Sequence, residues 1–95
     1  MEQLTYKLKE TYCRYLLRRF SEEQKNEVNE ISQLSIRVEK ALNRMDRELR
    51  TLLLNDFVYA NDRYWYLGYY SRSTYYRLKS KSMEQFIDFF SRNMI

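Results

Sequence analysis

Ninety-five residues with one glycine, no proline, one cysteine and no histidine can bury a single modest core, and they exclude a run of tight hairpins, an internal disulfide and a zinc site. The net charge of +4 is unevenly placed: residues 1–62 hold 11 basic and 11 acidic side chains, while residues 63–95 hold 6 basic and 2 acidic, and 6 minus 2 accounts for all of it. A hydrophobic content of 44% predicts one soluble, cytoplasmic all-α domain, because the aliphatic run Leu52–Leu54 falls far short of the roughly 20 apolar residues of a membrane span and the polar start after Met1 lacks a secretory pattern.

The first segment, LTYKLKETYCRYLLRRF, sets Leu4, Leu8, Tyr12, Tyr15, Leu16 and Phe20 at helical spacings with charges between them, which predicts an amphipathic helix ending near Phe20. Cys13 sits among its aromatic and aliphatic neighbours and is expected to be a buried structural thiol. Ser21 and Gln24 in SEEQ have the form of a capping box, with Glu22 and Glu23 suited to the positive end of a new helix. From there the apolar positions recur every seven residues: Ile31, Val38, Met45 and Leu52 in one stripe, Val28, Ser35, Leu42 and Leu49 in the other. Periodicity allows one helix over about residues 22–58, but Asp46 offers a second start, so a bend is predicted near Asn43–Asp46. Residues 1–33 form an N-terminal helical portion and a candidate for self-association.

Ala60, Asn61 and Asp62 interrupt the pattern, and Asn and Asp favour turns and helix starts. The segment DRYWYLGYY that follows predicts a short helix closed by Gly68 in a left-handed cap. Ser71 is a good N-cap for SRSTYYRLKSKSMEQFIDFF, a helix whose inward face is expected to carry Tyr75, Leu78, Ser82, Phe86 and Phe89. Arg72, Ser73, Tyr76, Arg77, Ser80 and Lys81 then point elsewhere. Ser82 with Gln85 repeats the capping signature and allows a kink, and the apolar cluster Phe86, Ile87, Phe89 and Phe90 is expected to be either core or a dimer surface.

Short helix, glycine turn, serine cap and basic helix are the layout of a helix-turn-helix, in which the second helix enters the major groove. The turn sets the angle, the cap fixes the start, and exposed side chains reach base edges while cations grip phosphate. Arg63, Arg72, Arg77, Lys79 and Lys81 follow one another without an intervening acid, as a phosphate-facing surface requires. A catalytic tyrosine acting on DNA would need proton-transfer partners, usually a histidine, and a phosphate loop needs more than one glycine, so no enzyme and no cofactor is expected. Seven of the 10 tyrosines lie between residues 59 and 76; most are expected to be half-buried rather than a stacking platform for single strands, Tyr76 excepted.

The run YSRSTYYRLKSKSMEQF resembles the C-terminal helix-turn-helix of the ArpU family of phage late-gene transcriptional regulators, whose fold is similar to region 4 of bacterial sigma factors. VEKALNRMDRELRTLLLNDFV looks like the two helices leading into that motif, so the resemblance covers about residues 34–90. It departs where the usual pattern has a small residue at Trp65 and a leucine at Gly68. The resemblance implies that Ser71 to about Lys81 is the DNA-reading helix, with Arg72, Ser73, Tyr76 and Arg77 outward and Tyr75 and Leu78 inward; together with the basic run this makes Arg63, Ser71, Arg72, Ser73, Tyr76, Arg77, Lys79, Ser80 and Lys81 the expected DNA-binding residues. It further implies a regulator acting on double-stranded DNA in a bacterial host, with a homodimer expected and RNA polymerase a candidate partner. The rival reading is a helical interaction module, an adaptor or anti-activator that does not bind DNA.

Overall fold

A computed structural model describes residues 5–25, 32–59 and 62–92. Four α-helices account for most of them: α1 (Tyr6–Lys25), α2 (Gln33–Arg44), α3 (Arg47–Leu54) and α4 (Arg72–Arg92). A π-helical turn (Asn55–Tyr59) extends α3, a 3₁₀ turn (Trp65–Gly68) precedes α4, and no strand occurs among the described residues. The fold is the expected all-α one.

Helix α1 does not stop at Phe20. It passes through Ser21, and the predicted capping box is not formed there; Glu23 instead accepts from the Ser32 backbone N–H at 2.9 Å and from the Ser32 hydroxyl at 2.7 Å. The same hydroxyl oxygen accepts from the Ser35 N–H at 3.2 Å, so Ser32 caps α2 while being held from α1. These donors hold the Glu23 carboxyl below its ordinary range, the Ser32 backbone N–H contributing most. The buried face of α1 is also rotated from the predicted stripe: Cys13, Leu16 and Leu17 are buried, whereas Leu8, Tyr12 and Tyr15 are 56%, 41% and 58% exposed. Leu4, Val28, Ile31, Ala60 and Asn61 lie outside the described residues.

The predicted bend is present, with Met45 and Asp46 separating α2 from α3 in extended backbone. Asp46 makes no side-chain bond to its own helix. Its N–H donates to Gln85 Oε1 at 3.0 Å, and Gln85 Nε2 donates to Asp46 Oδ2 at 3.2 Å, a reciprocal pair that fastens the start of α3 to α4. Gln85 is thus no part of a cap at Ser82. The Ser82 hydroxyl donates back to the Lys79 carbonyl at 2.8 Å inside an unbroken helix, and the expected restart is absent.

The main core joins all four helices through Cys13, Leu16 and Leu17, Val38, Ala41 and Leu42, Met45, Leu49 and Leu53, and Met83, Phe86 and Phe90. Val38 and Met45 of one heptad stripe and Leu42 and Leu49 of the other lie in it, and Ser35 is buried in the gap of the second stripe. Phe86 is fully buried and Phe90 nearly so, which makes the apolar end of α4 core. A second cluster, Leu52, Tyr66 and Tyr75 with Trp65, Tyr70 and Leu78 packed against it, lies under the N-terminal half of α4.

Candidate nucleic-acid interface

Ser71 starts α4 as expected. Its hydroxyl oxygen accepts from the Thr74 N–H at 3.3 Å and its carbonyl accepts from the Tyr75 N–H at 2.9 Å, so the first turn is closed and its side chains are set in angle. Arg72, Ser73, Tyr76, Arg77 and Lys81 are exposed on the helix that follows, Ser80 is partly so, and Tyr75 is 4% exposed on the opposite side. Arg72, Arg77 and Lys81 make no ion pair among the described residues.

Lys79 departs from this pattern. The basic run places it among the DNA-binding residues, yet it is 8% exposed and points the other way. Its ammonium donates to Glu10 Oε2 at 2.7 Å and lies 3.7 Å from Asp56 Oδ2. Burial alone would lower its pKa, but the Glu10 hydrogen bond and the Asp56 charge outweigh that and hold it above the ordinary lysine value. Its place on the helix explains the inversion, since Lys79 stands four residues after Tyr75 and four before Met83, in phase with the buried stripe.

Asp56 is the hub of this interior. Carried inward by the π-helical turn, its carboxylate is 6% exposed and accepts from Trp65 Nε1 at 2.7 Å and from the Tyr75 hydroxyl at 2.7 Å. Tyr75 is pushed well above the usual phenol range, by burial first and then by the hydrogen bond to Asp56. The Tyr66 ring lies flat on Tyr75, centroids 3.6 Å apart and planes within 2°, and Trp65 meets both edge-on. Sequence reasoning assigned Tyr75 inward but did not find Asp56, Glu10 or Tyr66. A signal exists for the two acids: Asp56 continues the phase of Leu49, Leu52 and Leu53, and Glu10 that of Cys13 and Leu17. A charge in phase with a buried stripe must meet an opposite charge or unfold the stripe.

The turn ahead of α4 differs from expectation in its geometry. The first helix of the motif is a single 3₁₀ turn, and Gly68 closes it without a positive φ. A Cβ at Gly68 would meet nothing within 4 Å. The chain is reversed instead by the Tyr69 and Tyr70 N–H groups, which both donate to the Tyr66 carbonyl at 2.8 and 2.9 Å. The Asp62 carboxylate accepts from the Tyr64 N–H at 2.9 Å, an Asx turn that sets out Arg63 with its guanidinium 5.5 Å from the centre of the Tyr64 ring.

Arg63, Arg72 and Tyr76 open onto a cleft of about 620 Å³ that α1 completes with Tyr6, Glu10 and Arg14. Arg14 carries no sequence-derived assignment, and only the packing of α1 against α4 brings it here. Scans against protein-family models, curated proteins and solved structures return no match to this chain.

Proposed function

We propose that the protein is a sequence-specific double-stranded DNA-binding regulator of transcription that presents the exposed face of α4 to the major groove. The observation that carries this reading is the division of one helix: Arg72, Ser73, Tyr76, Arg77 and Lys81 are exposed with unpaired cations among the described residues, while Tyr75, Met83 and Phe86 anchor the other side. Guanidinium groups at this spacing suit guanine edges and phosphates, and Ser73 suits either. The likeness of Tyr70–Lys79 to phage late-gene regulators supports late genes of a phage or mobile element as the target, with RNA polymerase as a partner and a homodimer reading two half-sites. Lys79 takes no part in contacting DNA here. It secures α4 from behind.

The test is a titration of promoter DNA against salt. About five phosphate contacts per protomer give a log–log slope of roughly −4, and Arg72→Ala or Arg77→Ala is expected to weaken binding with the melting temperature unchanged. Mapping bound DNA across the host genome would name the operator. A second reading, an interaction module without DNA binding, draws on Leu8, Tyr12 and Tyr15, which α1 leaves exposed. No binding at low salt would overturn the first reading in favour of the second.

A further inference from the structure

We propose that the cleft between α1, the Asp62–Tyr64 turn and the start of α4 is a binding site for a single nucleotide unit, a base carrying phosphate. The site shares Arg72 and Tyr76 with the duplex-facing face of α4 and is completed by Tyr6, Arg14 and Tyr64, which that face does not include.

Three arginines from three elements face this cleft: Arg14 from α1, Arg63 from the turn and Arg72 from α4. Its two carboxylates are matched by two cations, Lys79 between them and Arg14 beside Glu10. Asp56 accepts from Trp65 and Tyr75, with Lys79 beside it, and Glu10 holds Lys79 at 2.7 Å while Arg14 stands off at 3.7 Å. Arg63 and Arg72 have no carboxylate partner among the described residues. Arg63 and Arg72 therefore present cationic donors to solvent with no carboxylate in place to meet them, and a phosphate is the anion that guanidinium forks fit best.

The aromatic lining defines the remainder of the ligand. Tyr6, Tyr64 and Tyr76 are 39%, 48% and 46% exposed, each with part of a ring open, and the stacked Tyr66–Tyr75 pair forms a rigid wall behind them. Inorganic phosphate would leave these rings unused, and an apolar ligand would leave the arginines without a partner. A base with its phosphate uses both, by stacking and by charge. The volume of about 620 Å³ lies within the roughly 300–1,000 Å³ of small-molecule sites. Free nucleotide and an unpaired nucleotide of a strand share this chemistry.

The experiment titrates the full chain with adenosine monophosphate, inorganic phosphate and a single-stranded eight-mer, read by the fluorescence of Trp65, which packs on the Tyr66–Tyr75 pair. Saturable binding of the monophosphate and the eight-mer alike is expected if the source is free nucleotide, and of the eight-mer alone if it is a strand; either supports the site. Arg14→Ala and Tyr64→Ala, both exposed positions, should weaken that binding about tenfold with unchanged melting temperature. Arg77→Ala, outside the cleft, should bind the nucleotide like the parent while losing duplex affinity. The site is overturned if neither nucleotide ligand binds, if inorganic phosphate binds as tightly as the nucleotides, or if Arg14→Ala and Arg77→Ala lose nucleotide affinity equally.

Discussion

The two clusters that hold this protein together are built from different materials. Around Cys13, Leu17, Val38, Leu53 and Phe86 the interior is aliphatic and phenyl, and it needs only shape. Under the start of α4 the interior is Asp56, Trp65, Tyr66, Tyr75 and Lys79, where each polar atom must find a particular partner. Four helices can share the first arrangement with slack in register. The second leaves little slack, because a buried carboxylate with two donors and a neighbouring ammonium fixes the rotation of α4 about its axis. The face of α4 that carries Arg72 and Arg77 lies directly above this polar cluster, so the exposed side chains inherit its precision.

Substitutions separate the two. Phe86→Ala, in the aliphatic core, is expected to lower unfolding free energy by about 3–5 kcal/mol in urea titration. Lys79→Ala leaves Asp56 and Glu10 without their shared cation at the rim of the cleft, and about 2–4 kcal/mol is expected to be lost. The two variants differ in signature. The near-ultraviolet dichroism of Trp65 and the stacked tyrosines should change in folded Lys79→Ala and persist in folded Phe86→Ala; the same change in both would mean that the clusters are one unit.

Alkaline pH reports on both clusters with one sign. Burial pushes the Cys13 thiol up from 9.0 to about 12, while the Lys79 ammonium and the Tyr75 phenol are also held above their ordinary values. In each case the unfolded chain releases its proton first as pH rises, so stability is full below pH 9 and falls progressively above it, through the window to about 12 that Cys13 sets. Unfolding measured from pH 7 to 11 should show that decline. A rise in stability over the same range would contradict the burial of these groups. At pH 8 a thiol reagent should label Cys13 only through unfolding, faster in Phe86→Ala than in the parent.

Gly68→Ala is the mildest change. The glycine has no positive φ, and a Cβ there meets nothing within 4 Å, so a shift within about ±0.5 kcal/mol is expected by thermal melting. A loss above 1 kcal/mol would restore the left-handed turn that the sequence suggests.

Much of the architecture was legible in the chain. Ser71 was recognisable as a cap because its partner, Thr74, is three residues away. Tyr75 and Tyr76 could be told apart because the phase of Phe86 and Leu78 reaches back to one and not to the other. The bend before Asp46 followed from local residue type. Where prediction failed, the partner lay far along the chain. The Ser21–Gln24 box gives way to a helix that runs on to place Glu23 against Ser32, and Gln85 serves Asp46, 39 residues distant, rather than Ser82. The rotated face of α1 arose in the same way, since a stripe containing Leu8, Tyr12, Tyr15 and Leu16 offers two adjoining faces, and packing against α2 and α4 selects the one with Cys13 and Leu17.

Residue type and spacing established the helical class, the cap of α4 and the two-faced character of that helix, because these depend on contacts within a turn or two. The fate of the charges was set by packing. Lys79 and Arg77 are both cations two residues apart on one helix; the phase of Tyr75 and Met83 turns Lys79 inward, but it stays there charged only because Glu10, 69 residues away, and Asp56 on the π-helical turn converge on its ammonium. A buried charge is tolerable only where an opposite charge arrives to meet it, and that arrival is a property of how α1 and α3 pack against α4.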